Sequence, residues 1–320
     1  MKTVTRRDLL VAASFSALVG TAAAQGTSPR PLRIVTTLPP GGAADSMARF
    51  LAPKLSELMK RPVIVENRPG GNGIIGVRAV AAAPPGGEWV LMGGNSAMVT
   101  NAAVIANLPY NPMTDLKPVA GLARYDTAIV VAANSPVQSF ANLVALSKQR
   151  KLNYGAGTTT YQVTIERIKR AAGFEALAIP YKGTGPTLID LMGNQIDFTP
   201  AEISSVVNLA KEGRVRVIAT AGTARAADLP NVPTLIELGY KDIVVYGFNG
   251  MFYPANVPDD QVRELSQALL ALIRSPEAAD FLRKQGGEPW PASPEELRQF
   301  MTRELEVTRS VVKAAGIKVE

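Results

Sequence analysis

The sequence predicts an α/β protein with a largely parallel sheet. Short β-branched runs alternate with longer stretches of helical period. Loops rich in Pro and Gly follow several strand ends, where α/β sheets bind ligands. A chain with 47% hydrophobic and 19% charged residues has the balance of a folding protein. Its 320 residues leave room for about two domains, or one large one.

In chain order, strands are predicted at Leu32–Thr37, Val63–Glu66, Trp89–Met92, Thr127–Ala132, Leu152–Gly155, Ala176–Pro180, Arg214–Thr220 and Ile243–Gly247. The first helix, from about Ala44 to Met59, sets Met47, Phe50, Leu51, Leu55 and Leu58 on one stripe and stops before Arg61-Pro62, where proline forbids continuation. A second runs from Val163 to Ala172. A third, from about Asp259 to Arg274, turns Val262, Leu265, Leu269 and Leu272 inward. The last opens on Ser293-Pro294-Glu295-Glu296, a capping box with proline at the first helical position. It buries Leu297, Phe300, Met301, Leu305 and Thr308 and stops at Gly316.

The N-terminus has the form of an export signal. Lys2, Arg6 and Arg7 precede an apolar run from Leu9 to Val19, and Ala22-Ala23-Ala24 supplies a small-residue cleavage pattern, so residues 1–24 are expected to be removed by cleavage after Ala24. The apolar run is shorter than the roughly 20 residues of a spanning helix. Thr5-Arg6-Arg7-Asp8-Leu9-Leu10 resembles a twin-arginine signal, and a general secretory signal carrying two arginines fits as well.

Composition excludes much chemistry. With no His and no Cys, a Ser-His-Asp triad, a Cys nucleophile, His- or Cys-ligated zinc, disulfides, and haem or iron–sulfur ligation by those residues are impossible. The formal charge of +7 falls to about +5 when Lys2, Arg6, Arg7 and Asp8 leave with the signal. Lys and Arg form no run of five, and aromatics are only 6%, so no nucleic-acid partner is expected.

The glycine-rich loops carry the site candidates. Pro39-Pro40-Gly41-Gly42-Ala43-Ala44-Asp45 joins the first strand to the first helix; it is either an anion site at a helix N-terminus or a tight turn with Asp45 as cap. Gly155-Ala156-Gly157-Thr158-Thr159-Thr160 suits an oxyanion or is a Thr-rich cap. Tyr181-Lys182-Gly183-Thr184-Gly185-Pro186 is a third such loop, with a Lys that either pairs with an anion or is merely solvated. Gly71-Asn72-Gly73-Ile74-Ile75-Gly76 matches the dinucleotide fingerprint literally. However, Asn67-Arg68-Pro69-Gly70 separates it from its strand, and no acidic residue follows at the required distance.

Ser310-Val311-Val312-Lys313 fits S-x-x-K without companion motifs, and neither G-x-S-x-G nor H-E-x-x-H occurs. Asp45, Asp190 and Asp197 form a catalytic pair only if the fold unites them. Phe248, Phe252 and Tyr253 read as core.

Ordered motifs run along nearly the whole mature chain: Pro40-Gly41-Gly42 with Asp45 and Ala48-Arg49; Val65-Glu66-Asn67-Arg68-Pro69-Gly70-Gly71 with Gly73 and Gly76; Leu108-Pro109-Tyr110 with Asp115 and Pro118-Val119; Asn153-Tyr154-Gly155; Pro180-Tyr181-Lys182-Gly183; Asp190-Leu191 with Gln195-Ile196-Asp197; and Leu229-Pro230-Asn231-Val232-Pro233-Thr234 with Glu237 and Gly239. In this order they resemble the tripartite tricarboxylate transporter substrate-binding receptors, the Bug or TctC family of periplasmic solute receptors.

That resemblance implies a two-lobed periplasmic binding protein fold of type II, each lobe a Rossmann-like, mostly parallel sheet flanked by helices. Lobe one would hold residues 25–125 and 247–320, and lobe two residues 126–246, with the ligand cleft between. Leu38, Pro39, Gly41, Gly42 and Ala43 would hold a small carboxylated solute in lobe one, beside Asn95 and Ser96. Thr158, Thr159, Thr160, Tyr181, Gly183 and Thr184 would face it, and Asp197 and Ala201 would define its far end.

The resemblance also implies no cofactor and no catalysis. The partners are a membrane permease and, as an alternative output, a sensor kinase; the receptor is expected to be a monomer. An exported carboxylate-dependent hydrolase is the rival from another class. Departures from the family pattern are Thr37-Leu38 for Pro-Phe, Gln162 for a histidine, Phe248 for a frequent tryptophan, and Gly86-Gly87 for an Asp-Gly turn. Gln162 and Phe248 are the two expected to retune the pocket.

N-terminal sequencing of the exported protein should begin at Gln25; a start elsewhere moves the cleavage site. Replacing Arg6 and Arg7 by lysines should block export if the signal is of the twin-arginine type, and leave it unaffected if it is not.

Overall fold

The computed structural model describes residues 30–241 and 243–317. The export signal and its cleavage point lie outside the described residues. Three strands begin the first sheet: β1 (Leu32–Thr36) lies between β2 (Val63–Asn67) and β3 (Trp89–Gly94), all parallel. Beyond β3 the sheet turns antiparallel. There β9 (Tyr246–Pro254) pairs with β3, β4 (Leu116–Ala132) pairs with β9, and β10 (Gly287–Pro289) closes the edge on β4.

The 17 residues of β4 serve two sheets. From Thr127 onward it pairs antiparallel with β7 (Thr199–Glu202) and β8 (Val215–Thr220). Parallel β5 (Leu152–Ala156) and β6 (Ala176–Pro180) stand beside β7 through a bridge from Tyr154 to Phe198.

Helices cover both faces of each sheet. In lobe one, α1 (Ala43–Met59), α8 (Asp259–Ile273) and α9 (Pro276–Lys284) bury Met47, Leu51, Leu55, Leu265, Leu269 and Leu282 against Ile34 and Met92. The opposite face takes α2 (Ile74–Ala81) and α10 (Pro294–Ala315), which close over Val35, Leu91 and Phe252. In lobe two, α4 (Phe140–Ser147) and α5 (Thr159–Ala172) pack on an aromatic centre of Phe140, Tyr154, Phe174 and Phe198. The other face carries α6 (Thr184–Met192) and α7 (Ile203–Lys211).

A π-helical turn, Ser96–Thr100, leads into α3 (Asn101–Val104). Here the lobes touch, as Val163 of α5 packs with Val104, Val311, Val312 and Ile317. Arg167 pairs with Glu304 at 3.3 Å across the same seam.

The two-lobed α/β architecture is present, but the sheets are mixed rather than mostly parallel. The chain crosses between lobes on β4 and β9, which run antiparallel to each other. Their insertion beside β3 breaks the βαβ order.

The predicted strand at Ile243–Gly247 is displaced to Tyr246–Pro254: Ile243 and Val245 are β-branched for the lobe-two core, not for a sheet. Predicted Thr127–Ala132 is only the last six residues of β4. Small residues hide these buried strands because neighbours press on them. A Cβ on Gly94 would stand 2.7 Å from the Phe248 carbonyl oxygen, and one on Gly121 2.8 Å from Ala292. β7 and β10 are new, and α5 starts at Thr159, four residues before its predicted Val163.

On α1, Leu58 is 55% exposed. The buried stripe instead includes Ala44, Ala48 and Ala52. The last helix agrees with its prediction, capping box and Gly316 stop included. Ser293→Ala should cost about 1 kcal/mol, measured as the shift in urea unfolding, because the hydroxyl accepts from the Glu296 amide.

Candidate functional site

Parallel β1 and β3 end on one edge of lobe one. There the chain leaves β1 through Leu38–Gly42 and enters α1. Gly41 takes φ +92°, a left-handed value that favours glycine. Gly42 is the N-cap of α1 but offers no side-chain cap, so first-turn amides are left for another acceptor. A Cβ on either glycine would meet nothing within 4 Å. The space above them is open.

Asp45 holds this loop in shape. Its carboxylate accepts from the Gly41 amide at 3.0 Å, from Arg49 Nε at 3.0 Å and from Asn67 Nδ2 at 2.9 Å. Asn67 also donates to Thr36 Oγ1 at 2.7 Å and to the Leu38 carbonyl at 3.3 Å. Burial alone would raise the Asp45 carboxyl, but the bonds from Arg49, Gly41 and Asn67 outweigh it and hold the pKa at about 2. Asp45 is therefore not the helix cap of the turn reading. It sits one turn in and pins the loop that carries the free amides.

Lobe two repeats the device twice. Parallel β5 and β6 lead into α5 and α6, whose N-termini lie side by side. The Tyr181 amide donates to the Ala156 carbonyl and the Gly183 amide to the Gly157 carbonyl, both at 2.9 Å. This approach needs glycine, since a Cβ on Gly157 would stand 2.8 Å from the Gly183 carbonyl carbon. Thr158 caps α5, its hydroxyl accepting from the Tyr161 amide at 3.2 Å. Gly183, at φ +107°, precedes α6 and gives no side-chain cap. Thr160 then joins the lobes, its hydroxyl lying 3.1 Å from that of Ser96 and 3.0 Å from that of Thr100.

Most of the predicted residues gather here. Leu38, Pro39, Gly41, Gly42 and Ala43 line the edge of lobe one; Thr158, Thr159, Thr160, Gly183 and Thr184 line that of lobe two. Asn95 stands at the same edge, but its amide ties the crossing strand, accepting from the Phe248 amide at 2.8 Å and donating to the Tyr246 carbonyl at 3.2 Å. Tyr181 donates its hydroxyl to Asp190 at 2.6 Å, which pushes the phenol up to about 12.

Three predicted residues lie elsewhere. Asp197 precedes β7 and binds Arg150 and the Asn153 amide near the start of β5, roughly 15 Å of strand from the loops. Ala201 is fully buried in the lobe-two core opposite Ala128. Phe248 packs edge-on against Trp290 and Phe300 beneath α10.

Two residues without a motif join the edge instead. Tyr161 accepts the Glu202 amide on its hydroxyl at 3.1 Å, and Glu202 ends β7. Pro200 hid that strand.

The other motifs are structural. Gly70, Gly71, Asn72 and Gly73 all have positive φ and form a left-handed turn before α2. Asn101 Nδ2 fastens the turn by donating to the Asn72 carbonyl at 2.9 Å. Asp45, Asp190 and Asp197 each have separate partners and form no pair. Among the described residues no group of three or more carboxylates could hold a metal ion.

Two lobes joined by crossing strands, with helix N-termini opening onto the edges where they meet, define a solute receptor of the two-lobed binding-protein class. The chain belongs to the tripartite tricarboxylate transporter family receptors, whose model matches residues 47–317. It is 29% identical to the protein BugT of Bordetella pertussis over 98% of this chain and 99% of that one. Among solved structures it resembles R. palustris Rpa4515 with adipate, with TM-score 0.80 and 29% identity over 91% of this chain and 99% of that one. The periplasmic binding protein BugD gives TM-score 0.76 and 27% identity over 91% and 99%. As a member of a receptor family the protein binds a solute and does not transform it. The match begins beyond the first loop, so the role of that loop rests on its geometry.

Asp45→Asn should destabilise the protein by about 2 kcal/mol at pH 7, because charge-assisted bonds are lost. A carboxyl held near 2 stabilises fully above its unfolded value of about 4 and ceases to as pH falls through 2. The difference between native and variant in urea unfolding should therefore be smaller at pH 3 than at pH 7.

Proposed function

We propose that this protein is a periplasmic receptor that closes its lobes over a small carboxylated solute and delivers it, as a monomer, to a tripartite-type membrane permease. The lobes comprise residues 25–125 with 247–320 and residues 126–246, and the mature chain begins after Ala24.

The observation that carries this reading is the pair of uncapped helix N-termini at Gly42 and Gly183, each beneath open space. Such a terminus presents free N–H groups and the positive end of the helix dipole, roughly half an elementary charge. Closure removes water and strengthens those interactions, so an anion is held without a dedicated Lys or Arg. The nearest Lys in the motif, Lys182, is exposed. The relative described with adipate supports a carboxylate as the ligand class.

Mass spectrometry of the solute released on denaturing the purified protein should give a small carboxylate. Gly42→Leu tests the loop, because Gly42 has φ −81° and open surroundings and so accepts a side chain without strain. The variant should melt as the native protein does and bind that solute at least about tenfold more weakly by calorimetry. Unchanged affinity would remove the first loop from the site.

A further inference from the structure

The amides and hydroxyls at the lobe edges can all donate, and one side chain differs from them. Glu202 ends β7, which runs parallel to β5, so it shares an edge with Thr158–Thr160 and Gly183. Its amide donates to the Tyr161 hydroxyl at 3.1 Å. Its Oε1 lies 3.7 Å from where a Cβ on Gly247 would stand, hence against the crossing strand β9.

Tyr125 of β4 and Tyr161 of α5 flank the carboxyl, and neither bears positive charge. Among the described residues nothing donates a hydrogen bond or offers a cation to the carboxyl, and burial, the one influence on it, pushes its pKa up. Its oxygens nevertheless remain in reach of water.

An unpaired carboxylate out of bulk water is costly, and the cost is offset when a ligand brings the missing counter-charge. A second ligand carboxylate at the same point meets like charge instead. We infer that Glu202 selects, within the carboxylate class proposed above and resting on that reading, for solutes that also carry an ammonium group. The helix N-termini take the carboxylate end and Glu202 takes the nitrogen.

The test is calorimetry with matched pairs, adipate against 2-aminoadipate and succinate against aspartate, on the native protein and on Glu202→Gln. Gln keeps the size and the backbone bond to Tyr161 and removes the charge. The native protein should prefer the amino member of a pair by about tenfold or more, and the variant should lose that preference while binding the plain diacid at least as tightly as the native protein does, because the like charge is gone. Retained diacid binding also reports that the variant has folded. A native preference for the plain diacids, or an equal loss for both members, overturns the role of Glu202 and leaves the carboxylate receptor standing. Absence of binding by every member, with another class of compound recovered from the purified protein, overturns both.

Discussion

Both sheets are built on the antiparallel pair β4 and β9, and the placement of the site follows from that pair. Its register runs from Leu116 opposite Pro254 to Asp126 opposite Tyr246, after which β4 leaves β9 and pairs with β7 and β8 in lobe two. Every loop at the cleft takes its position from these strands. β3 pairs with β9 and ends at Asn95, whose amide bonds back to β9; β7 pairs with β4 and ends at Glu202. Arg124 stiffens the crossing, its guanidinium 4.2 Å from the Trp290 ring centre and 5.2 Å from that of Tyr246. Burial pulls its pKa down from the ordinary arginine value.

The site spends its charged side chains on shape. Asp45 is 3% exposed and strongly acidic, yet it faces Gly41, Arg49 and Asn67 rather than the open space above the loop. Its three bonds cost little at neutral pH because they are charge-assisted. They fix a left-handed glycine whose freedom would otherwise be lost on binding. The amides that remain free are pre-ordered. The same logic governs Gly157 and Gly183, where backbone contact between two loops sets two helix N-termini side by side. Recognition by fixed backbone dipoles suits an anion in general, and discrimination among anions falls to the few side chains at the rim.

How much of this was legible in the sequence depended on whether the signal was local. The capping box at Ser293, the parallel strands around β1 and the glycine loops declare themselves through spacing and through residue types with one physical use. β7 and β9 do not. Pro200 argues against a strand, and Gly247, Asn249 and Gly250 look like a loop until Gly94 and Ala120 are seen to crowd them. Asp197 misled for a related reason. It precedes the strand whose far end holds Glu202, and no local pattern says which end of an unseen strand faces the cleft.

Of the departures from the family pattern, Phe248 and Gln162 are the two expected to retune the pocket. Phe248 lies under α10, ringed by Trp290 at 5.9 Å and Phe300 at 5.2 Å between ring centres, so a change there alters how α10 seats on the sheet. Gln162 follows Tyr161 in the first turns of α5, two residues after the Thr160 hydroxyl that meets Ser96. Thr160 is the residue of that turn whose side chain meets lobe one, through Ser96 and Thr100. A chain without a single histidine thus keeps its ionisable choice at the rim in a carboxyl, Glu202, flanked by tyrosines. Its selectivity is set by what the ligand brings to that acid, since the surrounding amides are common to any carboxylate the cleft admits.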